Sequence, residues 1–142
     1  MAERSPGELP RQPALVAING VLQSGWRYGV DVAGEECLLE LVAPDDDGWI
    51  AVGPDLFDCL LELRRSTEQL GIVVCCNGAR LNAWSSQSQR EDLRGLGVYL
   101  LELGERNPRP PALETLADAP LHAVVEVEAQ IAFAQSWYDS LR

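Results

Sequence analysis

Two adjacent cysteines, Cys75-Cys76, stand directly before an Asn-Gly pair in the stretch IVVCCNGARLNAW, residues 72–84. A thiolate there would be a nucleophile, a redox centre or a soft metal ligand, and Arg80, Arg90 and Arg94 are the nearby cations that could favour it. The other two cysteines, Cys37 and Cys59, complete no C-x-x-C pair, and the single histidine, His122, lies far along the chain. Zinc ligation therefore has no spacing to rest on, and a mechanism that needs two histidines is excluded. Ser85, Ser86 and Ser88 lack the G-x-S-x-G context of a nucleophile elbow, and Ser88 reads as a helix N-cap. No catalytic residue, metal or cofactor is predicted.

Two further stretches invite a ligand. Asp45-Asp46-Asp47-Gly48 has the look of a calcium loop, but placing Gly48 at the sixth position puts Ala43 at the first and Pro54 at the twelfth. The ligand pattern fails, and a solvated turn is the better reading. Arg90, Arg94, Gly95 and Gly97 could cradle an anion, although the same glycines serve to end a helix and lead into a strand.

Charge says more than any of these motifs. The chain carries a formal charge of -11, and residues 28–63 hold ten carboxylates with no basic residue between Arg27 and Arg64. Such a one-signed field repels nucleic acid and steers a basic protein toward it. All eleven basic residues are arginine, which with the Ala, Gly, Leu and Pro usage suggests a bacterial, GC-rich source. The apolar runs are too short for a membrane span, and Met1 to Pro13 has no apolar core of a signal peptide, so the expected location is the cytoplasm with four free thiols.

The elements that must position these residues follow from periodicity and turn chemistry. Residues 1–12 read as a flexible arm and residues 13–142 as a single domain. ALVAINGVLQ suits a short helix through residues 15, 18 and 22, or a hairpin on Asn19-Gly20; the helix is the preferred reading. WRYGVDV, CLLELVA and WIAV then form an antiparallel meander, and Gly53-Pro54-Asp55 opens a helix with Leu56, Leu60, Leu63 and Leu70 on one stripe and Gly71 past its end. A hairpin on Asn77-Gly78, a short helix capped by Ser88 and ended at Gly95, a strand over 98–103 and a long helix over 121–141 complete the chain. The fold class is α+β: an antiparallel sheet, built from the meander, the Asn-Gly hairpin and one further strand, packed against two or three helices.

In the expected hairpin Cys75 faces Arg80 and Cys76 faces Ala79, and strand alternation separates the two thiols. Cys76 joins Ile72, Val74, Ala79 and Leu81 in the core, while Val73, Cys75, Arg80, Asn82 and Trp84 share the second face. That face mixes apolar, guanidinium and aromatic groups, the composition enriched at interfaces, and either binds a partner or lies under another helix.

In element order, and in being small and acidic, the chain resembles the class I type III secretion chaperones and the YbjN-like proteins over most of its length. The resemblance implies an α+β protein that binds other proteins. The expected function is a non-enzymatic, acidic, protein-binding domain that holds a basic partner in an immunity- or antitoxin-like inhibitory complex or a chaperone-like one. Val73, Cys75, Arg80, Asn82 and Trp84, with Asp45, Asp46 and Asp47, are the expected contact residues, and neither nucleic acid nor membrane is an expected partner. The competing reading is a small-ligand protein or enzyme using Cys75 with Arg80, Arg90 and Arg94. Self-association into a homodimer through the last helix is a third.

Overall fold

Strand-forming runs and turn residues alternate through the first half of the chain, and the backbone follows them. The computed structural model describes residues 9–108 and 110–142. Short strands occupy Arg11–Pro13 (β1), Val16–Ile18 (β2) and Val21–Gln23 (β3), followed by Arg27–Asp31 (β4), Cys37–Val42 (β5) and Gly48–Gly53 (β6). Helix Leu56–Glu68 (α1), strands Ile72–Val74 (β7) and Ala83–Trp84 (β8), helix Gln87–Asp92 (α2), strands Gly97–Leu100 (β9) and Leu113–Glu114 (β10), and helix Val127–Ser140 (α3) come next. The architecture is α+β. β1-β4-β5-β6 form a four-stranded antiparallel sheet, and β3-β2-β7 and β10-β9-β8 form two smaller ones. Residues 1–8 of the expected arm lie outside the described residues, and its last residues enter β1, which pairs with β4.

The meander forms as its pattern demands. Tyr28, Cys37, Leu39, Leu41 and Ala51 alternate onto one face, where α1 covers them with Leu56, Cys59, Leu60 and Leu63. Helix α1 starts at Asp55, whose Oδ1 accepts the Asp58 N–H at 2.8 Å, and the chain leaves it through Gly71 in the left-handed region. Leu70, the last member of the expected stripe, lies beyond the helix and is exposed.

Two Asn-Gly pairs exchange the roles that their local sequence suggests. Asn19 (φ 50°) and Gly20 (φ 81°) both adopt positive φ, as a tight two-residue hairpin between β2 and β3 requires. The helix preferred for this stretch does not form, because β2 also pairs along its other side with β7, and sheet pairing on both sides outweighs the helical spacing of Leu15, Ile18 and Leu22.

Asn77-Gly78, in contrast, builds no hairpin. β7 pairs with β2, β8 pairs with β9, and Asn77–Ala79 is a 3-10 turn. Its donors are taken by a chain segment nearly forty residues away: Asn77 N–H bonds Ala117 O at 2.9 Å and Gly78 N–H bonds Thr115 O at 2.8 Å. A Cβ on Gly78 would sit 2.5 Å from Leu60 Cδ2 and 2.8 Å from Thr115 Cγ2. Gly78 therefore serves close approach of two backbones and not a left-handed turn.

Two other boundaries shift. Ser86, not Ser88, caps α2, its Oγ accepting the Gln89 N–H at 3.2 Å. The last helix begins six residues later than the periodicity suggests, after a 3-10 turn at Leu121–Ala123, with Glu68 Oε1 accepting the Val127 N–H at 2.9 Å. Its buried positions are Val127 and Gln130, and Tyr138 near its C-terminal end points to solvent. Gln130 accepts from the buried Arg64 guanidinium and donates to Gly78 O and Ala83 O, both at 2.8 Å, which fastens α3 to α1 and to the 3-10 turn. Among the described residues no helix is long and apolar enough to cross a membrane.

Candidate partner-binding face

All four cysteines are free and fully buried. Burial pushes every thiol up, Cys76 to about 11 and Cys59 to about 12, and at Cys75 the neighbouring Asp118 adds to the effect. The arginines expected to oppose this at Cys75 are engaged elsewhere. Arg80 Nε donates to Asn77 Oδ1 at 3.0 Å. Arg90 lies over the Phe57 and Trp84 rings, 4.8 and 5.4 Å from their centroids. Arg94 donates to the carbonyls of Val32 and Gly34 and reaches Cys37 Sγ at 3.2 Å. Gly95 and Gly97 serve packing, since a Cβ on either would collide with Asp55 and Phe57 or with Gln89. Arg90, Arg94 and these glycines thus knit α2 to its neighbours.

Without a hairpin, the expected second face is dispersed. Val73 is half-buried, pairs with Ala17 and lines a groove with Leu121, Val124 and Val125. Cys75 is enclosed, its backbone bonded on one side to Leu15 and on the other to Ala119. Asn82 donates to Leu101 O at 3.1 Å, and Trp84 packs edge-on against Phe57 with centroids 5.1 Å apart. Residues 115–125 run beside residues 75–81, with bridges at Cys76–Asp118 and Arg80–Val124. That segment is what covers the region, and no local rule could have announced it.

The aspartates fare differently. Asp45, Asp46 and Asp47 form the exposed turn between β5 and β6, where Asp45 Oδ1 accepts the Asp47 N–H at 3.0 Å and Arg27 Nη2 reaches Asp46 Oδ1 at 3.1 Å. The turn closes one end of the outer face of the four-stranded sheet, the face opposite α1. Leu38, Glu40 and Val42 of β5 lie across from Val52, Ile50 and Gly48 of β6 on this face. Ile50 and Val52 are 49% and 50% exposed, so half of each branched side chain meets water.

Beside them a cleft of about 570 Å³ is lined by Arg11, Arg27, Glu40, Val42, Asp46, Gly48 and Ile50. Glu40 is only 2% exposed although it belongs to the outer face. It folds down over Gly29, where a Cβ would stand 2.6 Å from its Cγ, and Arg11 Nε lies 2.9 Å from its Oε1. Burial raises its pKa, while Arg11 and then Arg27 act to lower it. The arrangement is a sheet surface with an apolar centre, a buried Glu40 paired with half-buried Arg11, and an acidic end.

Of this surface only the aspartate run was among the expected contact residues; Glu40, Ile50, Val52, Arg11 and Arg27 were not. The alternation within CLLELV and GWIAVG was the available signal, because inward Leu39, Leu41 and Ala51 dictate outward Glu40, Ile50 and Val52. Arg11 joins them only through the β1–β4 pairing, for which the sequence carries no local mark. No protein-family model matches this chain, and no curated protein matches it.

Proposed function

We propose that this chain is a non-enzymatic protein-binding domain, acting in the cytoplasm, that holds a basic partner on the outer face of its four-stranded sheet in an immunity-like, antitoxin-like or chaperone-like complex. The observation that carries the reading is the juxtaposition of half-exposed Ile50 and Val52 with the exposed Asp45-Asp46-Asp47 turn. Branched apolar groups supply contact energy, about 1 kcal/mol for each half side chain removed from water. The carboxylates supply orientation and encounter rate. The competing thiol-based reading draws no support from a buried Cys75 whose pKa is raised and whose named arginines are engaged elsewhere.

The test uses a labelled peptide of alternating lysine and valine as the basic probe, its binding followed by fluorescence anisotropy. Binding should weaken steeply with salt and fall about tenfold in the Asp45→Asn/Asp46→Asn/Asp47→Asn variant, as three rim charges worth roughly 0.5 kcal/mol each imply. Binding that is indifferent to the triple variant would overturn this placement of the surface.

A further inference from the structure

Sheet edges invite pairing unless charge, proline or cover blocks them, and three of the edges here carry or adjoin such groups. β1 carries Arg11 and Pro13, β6 runs between the Asp45–Asp47 turn and Asp55, and β10 follows Pro110-Pro111. Among the described residues β3 has no such guard. From Gln12 to Trp26 the sequence contains no charged residue, and Val21 and Leu22 on β3 are 62% and 56% exposed.

The direction of the backbone groups follows from the ladder. Leu15 O accepts from Cys75 N–H at 2.8 Å and Asn19 N–H donates to Gly71 O at 3.3 Å, so the odd residues of this strand address β7. Val16 and Ile18 therefore address β3, where they stand opposite Gln23 and Val21. Antiparallel alternation then turns the N–H and C=O of Leu22 away from β2, toward the open edge. Leu70, exposed beside Gly71, extends the apolar rim of the same hairpin.

We propose that β3 is a self-association edge: two copies pair β3 antiparallel about a two-fold axis at Leu22, joining two three-stranded sheets into one of six strands. Leu22 exchanges both backbone bonds with Leu22 of the second copy, and Val21 faces Gln23 of that copy, so the surface is its own complement. Charge selects this occupant. Two copies at -11 repel each other, so they can meet only where carboxylates are absent, and β3 lies in the uncharged stretch. A basic partner gains no electrostatic attraction there, whereas the β6 face offers it the aspartates.

Sedimentation equilibrium from about 10 µM to about 1 mM, the range suited to so small an interface, tests the pairing. The mass should rise from 15.6 kDa toward twice that value, and added salt should strengthen the association by screening the repulsion between copies. Leu22→Lys should weaken it at least tenfold while circular dichroism and melting stay unchanged, and Val21→Lys should do the same if Leu22→Lys disturbs the fold. Asp47→Asn should leave the dimer intact. A mass fixed at that of one chain over the whole range, or a dimer that survives both lysine variants, would overturn the proposal.

Discussion

Replacing Gln130 with leucine removes a side chain that joins α1, α3 and the 3-10 turn at Asn77–Ala79. Three hydrogen bonds disappear: one from the Arg64 guanidinium to Gln130 Oε1, and two from Gln130 Nε2 to Gly78 O and Ala83 O at 2.8 Å each. Neutral bonds contribute about 1 kcal/mol each and a charged one about 2, and a buried group left without its partner forfeits its desolvation as well. Arg64, 2% exposed, keeps Val125 O at 2.6 Å and the more distant Glu68 Oε1 at 3.8 Å, so its charge is only partly compensated. The expected loss is about 3–5 kcal/mol, which for a chain of this size lowers Tm by roughly 10–15 °C. Urea and thermal unfolding followed by circular dichroism measure it. The Arg64→Met/Gln130→Leu double variant should recover a large part of the loss, because no buried charge is then stranded. A single variant within about 1 kcal/mol of the parent, or a double variant as unstable as the two singles added together, would mean that Gln130 does not neutralise the buried Arg64 charge in this way.

Gly20→Ala and Gly78→Ala should both destabilise, for different reasons that unfolding titrations of the pair with nearby suppressors can separate. Gly20 has open space around its Cβ position but φ +81°, so its loss is conformational, about 1 kcal/mol, and Gly20→Asn should cost less. Gly78 meets Leu60 Cδ2 and Thr115 Cγ2, so about 2 kcal/mol of overpacking is expected, relieved by Leu60→Val. Glu40 and Glu68 have folded-state pKa values raised by burial above the ordinary 4.5, so the folded chain holds these protons longer than the unfolded one. Stability should therefore fall as pH climbs from about 4.5 through the raised values, and Glu40→Gln should flatten that slope in chemical denaturation. The buried thiols act in the alkaline range: above their ordinary 9.0 the unfolded chain ionises while folded Cys76 and Cys59 wait until about 11 and about 12, so stability should drop by about 1.4 kcal/mol per pH unit per thiol in that window. At neutral pH all four cysteines should react slowly with a thiol reagent in the native state and rapidly in urea.

The parts of the fold that were legible in the sequence are those decided by near neighbours. The β4-β5-β6 meander and α1 follow from alternation, from the Asp-rich turn and from an Asp55 cap, all within a few residues of one another. What escaped was decided at a distance. Asn77-Gly78 has the composition of a hairpin turn, yet the carbonyls of Thr115 and Ala117 claim its donors, while Asn19-Gly20 makes a true hairpin because β7 stabilises β2 from the other side. The same distinction governs the candidate site. The aspartate run and the alternation of β5 and β6 are local in sequence, whereas Arg11 reaches Glu40, twenty-nine positions away, only through the β1–β4 pairing. Cys75 looked exposed only within the hairpin that did not form, and its burial follows from the segment 115–119 closing over it.

Amide chemical shifts of the ¹⁵N-labelled chain, titrated with the alternating lysine-valine peptide at low and at moderate salt, locate the surface that a basic partner occupies. Shifts should concentrate in residues 38–53, led by Asp46, Ile50 and Val52, fade with salt, and in the Asp45→Asn/Asp46→Asn/Asp47→Asn variant need about ten times as much peptide to reach the same size. Shifts spread evenly over the carboxylates of the whole surface, or centred on Val73, Asn82 and Trp84, would contradict this placement.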